Sequence, residues 1–589
     1  MSETPEDRKS ARASWLRALE LTQDIGRDPF LTFPVVIENL AQKFADAPAL
    51  LSDEKVWSFR DLAAETSRVA RWALDRGIGA GDVVALFMPN SPDYLAIWLG
   101  ITRVGGIAAL VNANVVGDGL VRAIAMVAPK HVIAGSGLAG ALAAVVPQLP
   151  AGLKCWSHGH SAQKFPRFDE AVSGFPGDPL PRDERAPRTR DRALYIYTSG
   201  TTGLSKAANV SHDRIMHWSH WFAGMMNTGP GDRMYDCLPM YHGVGGIVAV
   251  GAALVGGGSV AIRPGFSARR FWDDVARWDC TLFQYIGELT RYLVASPPHP
   301  LERRHRIRLC CGSGMSAELW PRFQKRFAIP RILEFYAASE GIVSLYNCEG
   351  RPGSIGRVPP FLAHRSGVAL VKLGTGGEPL RDGEGRCIRC AADEAGEALG
   401  RVGAHGGRFE GYSEPALSER RILRDVFEAG DLWFRTGDLM RRDKAGYYQF
   451  IDRIGDTFRW KGENVSTTEV AAAISLYPGI VDAAVYGVRV PGAEGRAGMA
   501  AIVAAPGLDL AALQRHLATR LPGYARPLFL RICSALETTA TLRPVKRELI
   551  EDGFDPSIIS DPLYFDDGGS LVPLDAGLHR RIVAGEIRL

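Results

Sequence analysis

The hydrophobic positions in the first half of the chain alternate between two periods. Residues 59–76 and 94–104 carry the spacing of amphipathic helices, whereas the apolar runs at 83–88 and 131–134 are typical of buried strands. Helices that alternate with strands in this way predict βαβ units around a largely parallel sheet. A second α/β stretch covers 193–335.

The pattern changes towards the C-terminus. Gly- and charge-rich segments typical of β-structure continue to about residue 452. Beyond them, strand-like runs at 480–488, 500–504 and 528–532 accompany a helical pattern at 508–520.

Together these patterns predict an α/β protein with two parts. Residues 1–453 form a large multi-subdomain N-terminal body of parallel sheets and helices. Residues 454–589 form a small mobile C-terminal α+β domain, with a hinge near 453–456 that contains Gly455.

Composition excludes several classes of protein. The 589 residues are 46% hydrophobic and 23% charged, which is ordinary for a soluble globular protein. The formal net charge of +4 gives no reason to expect a nucleic-acid partner. The nine cysteines are scattered, and the C-x-x-C of Cys387 and Cys390 has no second pair at zinc-finger spacing, so we expect reduced thiols.

Two uncharged stretches raise the question of a membrane span. The stretch at 138–153 is broken by Pro147 and Pro150, and the stretch at 243–262 contains three glycines at 256–258. We therefore predict a helix, a turn and a buried strand at 243–262. We expect the weak amphipathic helix at 14–25 to dock on the body of the protein. The polar N-terminus has no apolar signal segment, so we predict a cytoplasmic location and leave peripheral contact with the inner face of the membrane open.

A glycine pattern at 135–140, GSGLAG, matches the dinucleotide-binding fingerprint. A dinucleotide site also needs an acidic residue about 20 positions further on, to hold the ribose. Residues 141–165 contain neither Asp nor Glu. The glycines therefore indicate a tight turn between a strand and a helix.

The segment YIYTSGTTGLSKAANVSH at 195–212 carries the most informative chemistry. An apolar strand runs into a turn rich in hydroxyls and glycines, with a cation close behind: Thr198, Ser199, Gly200, Thr201, Thr202, Gly203 and Lys206. Backbone N–H groups, hydroxyls and an ammonium are what a phosphate-binding loop needs. The turn differs from a Walker A loop, which places Gly directly before the Lys.

This segment resembles the phosphate loop of the adenylate-forming enzymes, which include acyl-CoA synthetases, luciferases and peptide-synthetase adenylation domains. Further motifs of the family follow in the same order: LPMYH at 238–242, GSG at 312–314, FYAASE at 335–340, TGD at 436–438 and DR at 452–453. Ser205 replaces the usual Pro, Ala337 the usual Gly and Ser339 the usual Thr.

The resemblance implies a role for each matching residue. Phosphate oxygens would be held by the loop, Lys206 and Ser339; Mg²⁺ by Glu340; adenine by Gly312, Ser313, Gly314 and Tyr336; ribose by Asp438 and Arg453; and the acyl carboxylate would lie near His242. The chemistry agrees, because an anionic carboxylate must attack anionic ATP and catalysis therefore needs cations more than a strong base.

Three segments resemble the branch of fatty acid transport proteins and very-long-chain acyl-CoA synthetases: FQYIGE at 283–288, IGDTFRWKGENVSTTE at 454–469, and the tail at 551–574. The branch implies that Tyr285 and Gly287 contact the acyl group. It also implies that Trp460, Gly462 and Glu463 line the path of CoA.

One position departs from the family. A catalytic Lys is usual late in the small domain, and the TLRPVK segment at 541–546 places Arg543 there. Arg is permanently charged and can bind a carboxylate through two nitrogens. Arg543 and the nearby Lys546 are both candidates for the catalytic cation.

The resemblance implies an ATP-dependent acyl-CoA synthetase that acts on a long or very long fatty acid, with Mg²⁺ and CoA, first forming acyl-AMP and then the thioester. The alternatives are a fatty-acid adenylase, a lipid-uptake protein with little or no CoA ligase activity, and a ligase for a bulky carboxylate such as a bile-acid-like acid. Formation of a homodimer stays open.

Overall fold

The chain forms two compact units. The computed structural model describes residues 5–163, 165–181, 186–199, 205–338, 340–374, 377–403, 408–461, 463–493, 495–539, 542–587 and 589, and at 5–10, 199, 205, 365 and 464 it describes the backbone alone. The described residues of the first unit lie within 5–199, 205–367 and 402–422, and those of the second within 368–401 and 423–589.

The first unit contains helices along its whole length. They are α1 (Pro5–Thr22), α2 (Phe33–Phe44), α3 (Phe59–Asp75), α4 (Pro92–Arg103), α5 (Gly117–Ala125), α6 (Ala139–Val145), α7 (Phe168–Ser173), α8 (His212–Met226), α9 (Val250–Val255), α10 (Phe271–Arg277), α11 (Gly287–Ala295), α12 (Leu319–Phe327) and α13 (Pro415–Glu419).

Its strands build two sheets. They are β1 (Pro48–Leu51), β2 (Val56–Ser58), β3 (Val83–Phe87), β4 (Ile107–Leu110), β5 (His131–Gly135), β6 (Lys154–His158), β7 (Arg192–Ser199), β8 (Ser205–Ser211), β9 (Arg233–Asp236), β10 (Ser259–Ile262), β11 (Leu282–Ile286), β12 (Leu309–Ser313), β13 (Ile332–Ala337), β14 (Ser344–Asn347) and β15 (Gly356–Arg357).

One sheet has the order β6-β5-β3-β4-β7-β8 and is parallel except for the β7–β8 pair. The other runs β2-β1-β10-β9-β11-β12-β13-β14-β15, with parallel pairing from β1 to β13. The predicted parallel sheets and α/β fold class are confirmed. Strands β3 and β5 are buried along their whole length, as their continuous apolar runs indicate.

Local sequence signals set the ends of the predicted helices. Helix α3 starts with a capping box, in which the Ser58 hydroxyl accepts from the N–H of Asp61 and the Asp61 carboxylate accepts from the N–H of Ser58. The stretch at 243–262 forms a π-helical turn, α9, a glycine turn and the buried strand β10, which confirms the predicted order.

The N-terminal helix docks on the first unit, as predicted. Trp15 is only 6% exposed and packs edge-on against Trp221 and Tyr346, with ring centroids 5.7 Å and 5.5 Å away. Gly224 of α8 permits the close approach, since a Cβ there would lie 2.5 Å from the backbone of Ala18. Throughout the described part of the chain, every helix is too short or too polar to span a lipid bilayer.

The second unit is α+β. Its helices are α14 (Thr467–Ser475), α15 (Leu510–Ala518), α16 (Arg547–Asp552) and α17 (Ala576–Val583). Its strands are β16 (Val368–Val371), β17 (Ala395–Arg401), β18 (Ile422–Arg424), β19 (Leu432–Arg442), β20 (Tyr447–Arg453), β21 (Phe458–Trp460), β22 (Glu463–Val465), β23 (Ile480–Val488), β24 (Ala497–Ala504), β25 (Phe529–Cys533), β26 (Leu563–Asp566) and β27 (Leu571–Pro573).

These strands form the sheet β16-β17-β19-β20, with β18 on β19, the hairpin β21–β22, and the sheet β23-β24-β25-β26-β27. The predicted strands at 480–488, 500–504 and 528–532 and the predicted helix at 508–520 are confirmed with small shifts of their ends. The domain boundary at 453/454 stays a prediction.

Candidate active site

The predicted phosphate loop begins at the end of a hairpin. Strands β7 and β8 pair antiparallel, and Thr198 lies opposite Lys206 in their register. The hairpin therefore carries a hydroxyl and an ammonium to the same end of the sheet. Gly200, Thr201, Thr202 and Gly203 lie outside the described residues, as does the side chain of Ser199.

The Lys206 ammonium, the Tyr412 ring and the Glu340 carboxylate form one cluster. The ammonium lies 5.4 Å from the centre of the ring, and the Tyr412 hydroxyl donates a hydrogen bond to Glu340 Oε1. Burial and the nearby Arg421 lower the pKa of Lys206, and Glu340 opposes that shift. An ammonium and a carboxylate that contact the same tyrosine suit a phosphate–metal site. Ser339, the predicted phosphate ligand, lies outside the described residues.

The predicted adenine and acyl segments lie on neighbouring strands. Tyr285 of β11 pairs with Gly312 of β12, and a Cβ on Gly312 would lie 2.2 Å from the Tyr285 carbonyl oxygen. A Cβ on Gly287 would lie 1.9 Å from the carbonyl oxygen of Gly314, which has a φ of +91°. These positions need glycine because the two backbones touch.

A buried carboxyl, that of Glu334, holds the ends of β11 and β12 together. Glu334 is 1% exposed and accepts hydrogen bonds from the Tyr285 hydroxyl and from the N–H groups of Gly314 and Met315, the last at 3.2 Å. Burial raises the pKa of Glu334 to about 8, although the hydrogen bonds act in the opposite direction. Tyr336, the predicted adenine residue, is half-buried two positions further along β13.

Asn90 fixes the loop that carries His242 through hydrogen bonds to its backbone. The buried Asn90 amide donates to the carbonyls of Leu238 and Arg263 at 2.7 and 2.9 Å, and its Oδ1 accepts from the N–H of Met240 at 2.8 Å. The loop then enters the π-helical turn at 244–249 through the hydrogen bond from the Gly246 N–H to the His242 carbonyl, 2.8 Å long. His242 is half-buried at the start of this turn.

In the second unit, the predicted ribose residues lie side by side. Asp438 of β19 pairs with Arg453 of β20, and the Arg453 Nε lies 3.4 Å from Asp438 Oδ1. Buried Glu397 supports the same part of β19, because it binds Arg435 through both oxygens and accepts from the N–H of Gly437 at 3.2 Å. An Asp held beside an Arg can present its carboxylate to two hydroxyls.

The predicted hinge is tied to α14. Buried Asp452 accepts hydrogen bonds from the N–H groups of Thr467 and Thr468 at 2.5 and 3.2 Å. The Lys546 ammonium donates to the Thr467 hydroxyl at 2.9 Å. Arg543 is exposed, and its N–H donates to the Thr539 hydroxyl at 3.1 Å.

The predicted CoA residues lie on the β21–β22 hairpin. Trp460 pairs with Glu463; Trp460 is 5% exposed, whereas Glu463 is exposed. Between them, Lys461 adopts a φ of +50°, and its ammonium lies 6.0 Å from the Trp460 ring. Gly462 lies outside the described residues.

Comparisons with known proteins decide the family. Residues 37–384 match the family described as AMP-binding enzyme, and residues 469–542 match its C-terminal domain. The chain belongs to the AMP-binding enzyme family.

Relatives of this AMP-binding enzyme are similar along almost the whole chain. Long-chain fatty acid transport protein 1 of Mus musculus is 40% identical over 573 residues, which cover 95% of this chain and 88% of the relative. Long-chain fatty acid transport protein 6 of Homo sapiens is 38% identical over 553 residues, covering 92% and 89%. These values place the chain in the branch that its sequence resembles.

Solved structures share the fold. ATP-bound MatB from Rhodopseudomonas palustris is 25% identical, with a TM-score of 0.72, and the match covers 88% of this chain and 98% of that protein. The anthranilate CoA ligase AuaEII in complex with anthranoyl-AMP is 20% identical, with a TM-score of 0.76, covering 89% and 97%. The predicted family and the predicted class of AMP-forming acid–CoA ligase are confirmed.

Three residues of this AMP-binding enzyme were not predicted from sequence: Tyr412, Glu334 and Asn90. A Glu inside the apolar strand ILEFY was a usable signal for a buried functional carboxyl. Tyr412 lies 72 positions from Glu340, so only the fold reveals their contact. The individual roles of the predicted site residues stay predictions.

Replacing Glu334 by Gln is expected to change how stability depends on pH. The folded-state pKa of about 8 lies above the ordinary 4.5, so the folded protein holds a proton that the unfolded chain loses. The free energy of unfolding of the parent should therefore fall as pH rises from 4.5 towards 8, whereas Glu334→Gln lacks this loss. In urea unfolding measured across this range, the free energy of unfolding of Glu334→Gln should rise relative to that of the parent as pH increases.

Glu302→Gln is the matched control for that measurement. Arg326 lowers the pKa of Glu302, so this carboxyl is ionised in both the folded and the unfolded state at pH values well above 4.5. There the difference in free energy of unfolding between Glu302→Gln and the parent should stay constant. Parallel curves for Glu334→Gln and the parent would contradict the proposed buried proton.

Proposed function

We propose that this AMP-binding enzyme is an ATP-dependent long- or very-long-chain fatty acyl-CoA synthetase. The observation that carries the proposal is the 38–40% identity to long-chain fatty acid transport proteins over more than nine-tenths of the chain. The cluster of Lys206, Tyr412 and Glu340 beside the phosphate hairpin supports the same chemistry.

In the first half-reaction, a fatty acid carboxylate attacks the α-phosphorus of ATP and pyrophosphate leaves. The phosphate loop and Lys206 hold the phosphate oxygens, and the cationic side chain neutralises charge that develops as the bond to pyrophosphate breaks. The half-buried His242 lies near the carboxylate.

The donor chemistry around Glu340 fits Mg²⁺. Mg²⁺ characteristically binds one or two carboxylates together with substrate phosphates, and the Glu340 carboxylate lies in one cluster with Tyr412 and the Lys206 ammonium. Glu340 would hold the ion. When bound, Mg²⁺ neutralises phosphate charge.

The nucleotide and CoA sites follow from the other predicted residues. Gly312, Ser313, Gly314 and Tyr336 bind adenine, Asp438 and Arg453 bind ribose, and Tyr285 and Gly287 border the acyl group. Trp460, Gly462 and Glu463 guide CoA to acyl-AMP in the second half-reaction. The 454–589 domain rotates about 453–456 between the two steps.

Pyrophosphate release measured with a panel of carboxylic acids tests this function. In rapid-quench experiments, long-chain fatty acids should give a burst of one pyrophosphate per active site without CoA, because acyl-AMP forms first. Addition of CoA should then make AMP release continuous. The panel includes shorter fatty acids and a bile-acid-like carboxylate.

Each alternative predicts a different result in that assay. A rate of AMP release that does not depend on CoA would indicate an adenylase. The absence of pyrophosphate with every acid would indicate a lipid-binding relative. Pyrophosphate that appears only when CoA is present would contradict the two-step order. Peripheral membrane contact and homodimer formation stay predictions, to be tested by sedimentation with anionic vesicles and by light scattering.

A further inference from the structure

A short segment more than 200 residues after Lys206 lies against β8, the strand that carries this residue. Residues 408–413, here called the Tyr412 segment, pair with strand β8 through an antiparallel bridge between Ala208 and Tyr412. The Asn209 N–H donates to the Gly411 carbonyl at 3.0 Å, and the Ser413 N–H donates to the Ala207 carbonyl at 2.8 Å. The segment therefore lies against β8 through a single β-bridge, two residues along that strand from Lys206.

Side chains hold the Tyr412 segment firmly. The Ser211 N–H and hydroxyl donate to the two oxygens of Glu410 at 2.7 and 2.6 Å. The Asn209 amide donates to the Glu410 carbonyl at 2.7 Å, and the Tyr412 N–H donates to the Ser418 hydroxyl at 2.9 Å. These bonds fix the position of Tyr412, which is 4% exposed.

Arg214 joins this segment to the turn that carries Glu340. The guanidinium donates to the Arg408 carbonyl at 2.7 Å and lies 3.7 Å from the Glu410 carboxylate. It also packs under Gly341, where a Cβ would lie 2.8 Å from Arg214 Nε. The Tyr412 segment and the Glu340 turn therefore share one support.

We infer that Tyr412 is a positioning residue for the nucleotide–metal site, with its hydroxyl orienting the Glu340 carboxylate and its ring orienting the Lys206 ammonium before ATP binds. This inference rests on the proposed function, since it concerns the same site. The hydrogen bond engages Glu340 Oε1, and a carboxylate held through one oxygen can coordinate a cation with the other.

The direction of the hydrogen bond follows from the two groups. The Tyr412 phenol carries an O–H, whereas an ionised carboxylate can only accept, so Tyr412 is the donor. The ring face attracts Lys206 by a cation–π interaction, so the phenol fixes both groups without carrying charge itself.

ATP affinity measured with and without Mg²⁺ tests the inference separately from catalysis. Calorimetric titrations of the full chain with ATP are run in excess Mg²⁺ and in EDTA. Tyr412→Phe keeps the ring and removes the hydroxyl, so it should weaken Mg²⁺–ATP binding about tenfold, as loss of a hydrogen bond to a metal ligand does. ATP binding in EDTA should change less than about twofold, because the ring still holds Lys206.

Tyr235→Phe is the matched control. Tyr235 is buried in the same unit and its hydroxyl also donates to a carboxylate, that of Asp274 at 3.2 Å. This variant should bind ATP as the parent does in both buffers. Tyr412→Ala should weaken binding in both buffers, because it removes the ring as well.

A double-variant cycle identifies the group through which Tyr412 acts. In a Glu340→Gln background, Tyr412→Phe should cause no further loss of Mg²⁺-dependent affinity. The same loss in both backgrounds, equal losses with and without Mg²⁺, or parent-like binding by Tyr412→Phe would each overturn the inference while leaving the proposed function intact. A parent that binds no ATP in either buffer would overturn both.

Discussion

Replacing Glu340 by Gln is expected to reduce the rate of acyl-AMP formation by at least about 100-fold, because the carboxylate charge that would hold Mg²⁺ against the phosphates is lost. The fold should be unaffected. Gln can still accept the Tyr412 hydrogen bond through its amide oxygen, and the change alters no buried volume. Pyrophosphate release at saturating ATP and fatty acid measures the loss.

The effect should depend on Mg²⁺. If Glu340 holds the ion, higher Mg²⁺ should partly restore the rate of Glu340→Gln and leave the parent unchanged. Glu302→Gln again serves as the control, since that carboxylate binds Arg326 at 2.8 Å within the same unit and is not among the predicted site residues. It should retain near-parent activity. Activity within threefold of the parent in Glu340→Gln would remove Glu340 from the site.

Much of the fold could be predicted because buried strands and amphipathic helices leave strong periodic patterns. The fully buried strands β3 and β5 and the capped helix α3 were located to within a residue or two. The order of the strands in each sheet could not be predicted from these patterns. The placement of β9 between β10 and β11 depends on packing between segments distant in sequence, which periodicity does not encode.

The site residues also fall into two groups, those that motifs predicted and those that only the fold reveals. Lys206 and Glu340 stood out because they belong to contiguous motifs, and the structure gathers them around Tyr412. Tyr412 belongs to none of the predicted motifs, and its position is set by a β-bridge to β8. Asn90 was equally hidden, since its three hydrogen bonds reach backbone more than 140 positions away.

The second large effect is expected in the small domain, where Arg543 is predicted to stand in place of the usual Lys. Arg543→Ala should strongly depress acyl-AMP formation and spare thioester formation from presynthesised acyl-AMP. Adenylation needs a cation beside two anionic reactants, and domain rotation would carry this segment away before CoA reacts. Gly462→Leu should do the reverse, because a bulky side chain would block the path of CoA.

Contacts within the second unit support different roles for the two cations. Lys546 donates to Thr467, whose N–H binds Asp452 beside the predicted hinge, so this ammonium stabilises the domain. The Arg543 side chain is exposed, the Arg543 carbonyl accepts from the Thr539 N–H at 2.7 Å, and the preceding Leu542 adopts a φ of +59°. Lys546→Ala should therefore lower the melting temperature, because it removes the hydrogen bond to Thr467.

Both half-reactions measured in Arg543→Ala, Arg543→Lys and Lys546→Ala separate these roles. Arg543→Lys restores the residue usual in the family, and if an ammonium suits the position better it should adenylate at least as fast as the parent. Lys546→Ala should lose stability and keep the ratio of the two half-reaction rates, since it loosens the domain without removing the reacting cation. A large, selective loss of adenylation in Lys546→Ala, with none in Arg543→Ala, would assign the catalytic cation to Lys546. Equal loss of both half-reactions in Arg543→Ala would instead indicate a structural role for Arg543.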